Sequence, residues 1–197
     1  AIDHFAICLP PGQLHPTARF YLDALGFELL YEEEIVLGSQ GMNSQVVRNA
    51  SGTVTFTLIE PASGRSPGQI DGFLQSHGGA GVQHVAFLTD DILHAVKACE
   101  SHGVEFLHTP SGYYARMASR FAELRDCMEL FKRSNVLMDR DESGYMFQIF
   151  TRSMHERRTL FFELIQREGA RTFGSSNIKA LYESVERELH AASPAQP

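Results

Sequence analysis

Two histidines occupy matching places in a repeated pattern. Ile2-Asp3-His4-Phe5-Ala6 and Val82-Gln83-His84-Val85-Ala86 both read apolar, polar, His, apolar, Ala, at an offset of 80 residues. A lone histidine in an apolar strand is ordinarily a satisfied core or rim residue. Two at equivalent positions of a duplicated unit point instead to a shared metal site. Two imidazoles do not by themselves hold a catalytic ferrous ion; the usual facial set adds one carboxylate and leaves positions open for substrate and dioxygen. Glu163 fits that role, as the one acid in the apolar run Thr159 to Gln166. A carboxylate in such a strand carries a desolvation cost that a cation removes. Two other readings stay open. Glu163 could pair with Arg157 or Arg167, and Glu60, in Leu58-Ile59-Glu60-Pro61, is a rival carboxylate. Its place at a strand end before proline ranks Glu60 as an edge residue.

The other histidines, His15, His77, His94, His102, His108, His155 and His190, fall in expected loops or on polar helix faces, and solvation is expected for them. Cys8, Cys99 and Cys127 form no Cys-x-x-Cys pair, so reduced thiols and a cytoplasmic location are the default, with Cys8 in the core. The hydrophobic content of 43% and charged content of 21% are those of a globular chain with a real core. A formal charge of −7 without a basic tract argues against nucleic acid. No run reaches the roughly 18 apolar residues of a membrane span, and no secretory signal is visible. The chain opens at Ala1 without methionine, as a trimmed chain or a piece of a longer one would.

The elements that must position these residues also repeat. After His4 come a loop, a helical segment through Arg19, Phe20, Leu22 and Leu25, a stop at Gly26, and a strand from Phe27 to Leu30. After His84 come Thr89-Asp90-Asp91, a helical segment through Ile92, Ala95, Val96 and Cys99, a stop at Gly103, and a strand expected over Val104 to Leu107. Asp90 or Asp91 suits the N-cap of that helix. A hairpin follows in the first unit, Met42 to Arg48 and Val54 to Glu60, turning at Ser51-Gly52. The second unit offers Val136 to Met138, Tyr145 to Thr151 and Thr159 to Gln166, after a partly helical insertion from Ala115 to Phe131. The fold expected is α+β: two tandem βαβββ modules curving into a half-open barrel, plus a C-terminal helix. Module one covers 1–64, a link with a short helix (Gln69 to Ser76) 65–80, module two 81–168 and the C-terminal helix 174–190, all within a single catalytic domain, 1–197.

The stretches GVQHVAF, GYMFQIFT, TLFFELIQREG and TFGSSNIKALYESVERE resemble the C-terminal part of the 4-hydroxyphenylpyruvate dioxygenase family, from Ile2 to about Glu188. That family belongs to the vicinal-oxygen-chelate (glyoxalase/dioxygenase) superfamily, which has the paired βαβββ architecture. The resemblance implies Fe(II) held by His4, His84 and Glu163. It implies a dioxygenase whose small-molecule α-keto acid substrate chelates the iron and is oxidatively decarboxylated with O2. It places Ser44 and Gln69 near the substrate, Gln148 as a polar residue facing the pocket, and Phe150 and Phe161 as aromatic walls, although both phenylalanines could equally be core. Gln148, flanked by Met146, Phe147, Ile149 and Phe150, needs partners if buried.

Two positions depart from the ring-hydroxylating members, which form homogentisate. Where those read Pro, Leu or Ile, Asn, Glu, Pro, this chain reads Thr57-Leu58-Ile59-Glu60-Pro61; where they carry an aromatic after Gly-Asn, it reads Phe173-Gly174-Ser175-Ser176-Asn177-Ile178. Both departures resemble the 4-hydroxymandelate synthase branch, which hydroxylates the benzylic carbon and feeds antibiotic biosynthesis. Thr57, Ile59, Phe173 and Ile178 are therefore expected to line the substrate pocket. Family members also carry a further N-terminal half, so association with such a half, a partner chain or a second copy is expected, but neither nucleic acid nor membrane. The rival classes are an extradiol ring-cleaving dioxygenase and a non-catalytic binding module of the same superfamily.

Overall fold

In chain order, β1 (Ile2–Cys8) leads into α1 (Leu14–Leu25), followed by β2 (Glu28–Leu37), β3 (Gln40–Arg48) and β4 (Thr55–Pro61). Then come α2 (Gln69–His77), β5 (Gly81–Leu88), α3 (Ile92–Ser101), α4 (Ser111–Arg120), a 3-10 segment (Ala122–Cys127), α5 (Met128–Arg133), β6 (Leu137–Asp141), β7 (Gly144–Phe150) and β8 (Phe161–Glu168). The fold is α+β. The computed structural model describes residues 1–174 and 177–180, the last four of them helical. The remainder of the C-terminal helix expected over 174–190 lies outside the described residues. Two units are distinct: Ala1–Phe87 with Ser153–Phe162, and Leu88–Arg152 with the chain from Glu163 onward. Among the described residues, no helix is long and apolar enough to cross a membrane.

In the first unit the strand order is β2-β3-β4-β1-β5, with β1 and β4 parallel and the other pairs antiparallel. The apolar stripe of α1 packs on one sheet face, where Leu14 and Ala18 are buried with Leu9, Val47 and Leu58 and flanked by Ile7, Tyr21, Leu22, Phe27 and Phe56. Gly26 ends α1 in the left-handed conformation (φ 67°) and donates to Tyr21 O. Alternation along β1 sends His4, Ala6 and Cys8 to the opposite face. There the pairs Ala6 with Thr57, Cys8 with Ile59, Val46 with Thr57 and Ser44 with Ile59 put Ser44, Val46, Thr57 and Ile59 beside them. Cys8 is fully buried, and burial pushes its thiol pKa up.

Glu60 is not an edge residue. β4 lies between β3 and β1, the carboxylate is buried, and Oε2 accepts the Leu14 backbone N–H at 3.0 Å. The free N–H groups of a first helical turn favour such an anion, which explains a buried acid without a metal.

The second unit orders its strands β8-β7-β6, all antiparallel. Asp91 caps α3, accepting from His94 N–H at 2.9 Å. The N–H of Ile92, the first residue of α3, donates to Gln166 Oε1 at 2.8 Å. Each module thus caps its helix with a side chain from its last strand, Glu60 on β4 and Gln166 on β8. Three residues back along each strand are Thr57 and Glu163.

Val104 to Leu107 does not form the expected strand. It makes a single antiparallel bridge, Phe106 to Thr151, with Leu107 N–H donating to Phe150 O and Arg152 N–H to Glu105 O, both at 2.8 Å. Pro110, which lacks a donor, then caps α4. β6 is the strand that pairs with β7 as β2 pairs with β3. The insertion is helical, as α4, the 3-10 segment and α5.

Candidate metal centre

β1 and β5 run antiparallel with His4 opposite Ala86 and His84 opposite Ala6. An alanine across from each histidine leaves room for a ring, and the two rings meet edge to face with centroids 5.5 Å apart. The register shifts twice, once between Ile2 and His4 and once between Ala6 and Ile7, so Asp3 is the extra residue on β1 and Gln83 the extra residue on β5. A β-bulge re-aims the side chain of its extra residue. Asp3 Oδ1 lies 2.8 Å from His4 Nδ1, and Gln83 Oε1 lies 3.3 Å from His84 Nδ1. Both oxygens accept, so each ring is oriented by a hydrogen bond from Nδ1, and Nε2 is the nitrogen suited to face a cation. Phe161 stacks on the His84 ring at 5.0 Å.

Glu163 follows that stack by two residues on β8, one peptide bond beyond Phe162 of the first unit. His4, His84 and Glu163 are 3%, 8% and 1% exposed, and one ligand atom from each lies within 4.8 Å of the others. Two imidazoles and a carboxylate, buried and converging, suit a divalent first-row metal. Gln148 Nε2 donates to Glu163 Oε1 at 2.9 Å. Arg167, considered above as a partner for Glu163, donates to the carbonyl oxygens of Ala170 and Thr172 and lies over the Phe173 ring. Arg157 is exposed.

The other expected site residues divide by position. Ser44, Thr57 and Ile59 are buried on the His4 face of the first unit. Ser44 Oγ reaches Glu33 O at 3.5 Å, and Thr57 Oγ1 has no hydrogen-bond partner among the described residues. Gln69 opens α2 and is half-buried. Phe150 is buried and pairs with Glu163 across β7 and β8. Phe173 is buried and Ile178 half-buried. Of the remaining histidines all those described are exposed, and His15 Nδ1 meets Gln45 Nε2 at 3.0 Å. His190 lies outside the described residues.

Asp3, Gln83, Tyr113, Gly174 and Asn177 went unassigned in the sequence. Asp3 and Gln83 carried a signal, the shared polar position of the repeat. Gly174 and Asn177 follow Arg171 and Thr172, whose backbone N–H groups donate to Asp141. That carboxylate is raised by partial burial but lowered more by the backbone N–H groups of Thr172, Arg171 and Ser143, which hold it at about 2.

Residues 1–149 match the model of the Glyoxalase/Bleomycin resistance protein/Dioxygenase superfamily. The chain belongs to that superfamily. It is 38% identical over 196 residues to a 4-hydroxyphenylpyruvate dioxygenase of Pyricularia oryzae, covering 95% of this chain and 47% of the relative. With the enzyme of that name from Neurospora crassa the identity is 35%, over 95% of this chain and 48% of the relative. Among solved structures, a triple mutant of 4-hydroxymandelate synthase from Streptomyces coelicolor superposes with a TM-score of 0.89 at 54% identity, over 95% of this chain and 54% of the other. A fusion of a xylose isomerase-like TIM barrel with a 4-hydroxyphenylpyruvate dioxygenase superposes at 0.75 and 28% identity, over 94% of this chain and 29% of the other. The chain therefore spans about half the length of the relatives it matches. Those relatives carry the names 4-hydroxyphenylpyruvate dioxygenase and 4-hydroxymandelate synthase.

Proposed function

We propose that this chain, acting as one catalytic domain in the cytoplasm, is the metal-bearing part of a ferrous dioxygenase. It would convert 4-hydroxyphenylpyruvate and O2 to 4-hydroxymandelate and CO2. The observation that carries this reading is the buried convergence of His4, His84 and Glu163. Bound by these three residues, ferrous iron would supply activation of dioxygen and oxidative decarboxylation of the keto acid.

The chain's own side chains set where the substrate lies. Thr57 holds on β4 the place that Glu163 holds on β8, so its unpartnered hydroxyl is available to a ligand on the His4 face. Ser44 offers a second hydroxyl there, two strands from β1. Ile59, between Ser44 and Cys8 on the same face, offers no hydrogen bond, so a phenol cannot be tethered at that point. Phe161 covers His84 and keeps water from one side of it. Gln148 restrains the Glu163 carboxylate, and Phe150, Phe173 and Ile178 give apolar surface to an aromatic ring. Gln69, at the start of α2, is read as near the substrate's ring or chain. The greater length of the relatives supports a further half or partner chain in the working assembly.

The second reading, ring hydroxylation to homogentisate, is favoured by the names of the fungal relatives; Ile59 and Ile178 favour the first. Anaerobic loading with Fe(II), then 4-hydroxyphenylpyruvate and oxygen, with chromatographic identification of the product, separates them. 4-Hydroxymandelate is the expected product. Homogentisate would overturn the assignment of the pocket, and no keto-acid-dependent oxygen uptake would overturn the dioxygenase reading itself.

A further inference from the structure

The polar contacts of Glu163 run on past Gln148. Gln148 Oε1 accepts from Asn177 Nδ2 at 2.7 Å, Asn177 Oδ1 accepts from the Tyr113 hydroxyl at 2.8 Å, and the Tyr113 oxygen accepts from Met138 N–H at 2.7 Å. The direction of this chain follows from its end. An ionised carboxylate only accepts, so Gln148 turns its NH2 toward Glu163 and its carbonyl toward Asn177. Asn177 must then present its own NH2 to Gln148, which leaves its oxygen for the tyrosine proton. Met138 O, 2.8 Å from the same hydroxyl, is a second acceptor for that proton. Burial pushes the Tyr113 pKa well above the ordinary tyrosine range, which keeps the hydroxyl a donor.

Two further observations show that the path is built. Gln148, Asn177 and Tyr113 are all buried, where reversing the Gln148 amide would set oxygen against oxygen at Glu163 and N–H against N–H at Asn177. Gly174 lies against the path: a Cβ there would stand 2.6 Å from Gln148 Oε1 and 3.4 Å from Asn177 Nδ2. Only glycine leaves that space clear.

We propose that Tyr113, on α4, is a positioning residue for the metal site. It anchors Asn177 through its hydroxyl, and through Asn177 and Gln148 it holds Glu163 in place as a ligand. The proposal rests on reading His4, His84 and Glu163 as the metal ligands. It gives α4 a task, since that helix carries the tyrosine that anchors the path. Outer partners of metal ligands commonly change metal affinity by about 10–100-fold.

The test uses Co(II) as a visible stand-in for ferrous iron, with affinity read by competition against a chelating dye and ligand geometry by the visible absorption bands. Tyr113→Phe is expected to weaken Co(II) binding roughly tenfold, the lower end of that range for a residue two links away, and to alter the bands. Tyr114→Phe is the control. It removes the neighbouring hydroxyl, on a residue 3% exposed against 2% for Tyr113, and that hydroxyl is outside the path. It should bind as the unmodified protein does. Asn177→Ala should weaken binding at least as much as Tyr113→Phe, and the double variant no more than Asn177→Ala, because both cut one chain. Unchanged affinity and bands in Tyr113→Phe and Asn177→Ala would overturn the proposal, as would equal weakening in Tyr114→Phe. If Tyr113→Phe does not fold, Asn177→Ala carries the same two outcomes at the next link. Co(II) binding that survives His84→Ala would instead overturn the metal-site reading, and the path to Glu163 would lose its purpose with it.

Discussion

Asp3 and Gln83 precede the two histidines, and each is the extra residue of a β-bulge. In a regular strand the residue before a histidine points to the opposite face and could not reach its ring. The bulges remove that restriction symmetrically, once on each strand. The repeated order apolar, polar, His was legible in the sequence. What the polar residue does was not, because a bulge is a property of how two strands pair. Ile59 and Ile178 carry the prediction that belongs to this scale. Ile59→Asn with Ile178→Phe restores an amide and an aromatic, and is expected to raise the share of homogentisate in the product. A hydrogen bond worth about 1–2 kcal/mol corresponds to roughly a five- to thirtyfold change in the ratio of the two products. Chromatography of both aromatic products measures it; an unchanged ratio would mean these side chains do not set the outcome.

Among the elements, the strand–helix caps show why local reading misjudged Glu60. Its neighbours in sequence, Ile59 and Pro61, suit a strand end, but its partner is the first N–H of α1, 46 residues away. Gln166 does the same for α3 with a neutral amide. Glu60→Ala is therefore expected to cost about 1–2 kcal/mol of folding stability, as removal of a good helix cap does. Glu60→Gln should recover most of that loss, since an amide oxygen serves in the second module. Urea unfolding of both variants decides the matter, and equal losses would show that the negative charge, not the hydrogen bond, is what α1 requires. The Val104–Leu107 stretch failed for a related reason. Its alternation fits a strand, but only Phe106 bridges to Thr151, and Pro110 soon follows. Tyr113 was invisible for want of any local pattern, its link to Asn177 crossing 64 residues.

At the scale of the molecule, the duplication explains both what repeats and what does not. Each module opens on a strand with a histidine, continues with a helix capped from its last strand, and closes on that strand. On the closing strands, the equivalent position is Glu163 in one module and Thr57 in the other, so the duplicated units differ at the place where one carries an acid. This much of the architecture, and the three converging side chains proposed as ligands, could be read from spacing and residue type. The support behind Glu163 could not, because its hydrogen bonds join segments distant in sequence. A bound metal that the unfolded chain does not hold adds stability, about 2.7 kcal/mol at a hundredfold excess over its dissociation constant. The most direct measurement is the iron content of protein loaded anaerobically with Fe(II) and freed of excess, compared with His84→Ala and Glu163→Gln treated alike. One tightly held ferrous ion per chain, lost in both variants along with its thermal stabilisation, is the result expected. Full iron occupancy in either variant would contradict the assignment of His4, His84 and Glu163 as the metal centre.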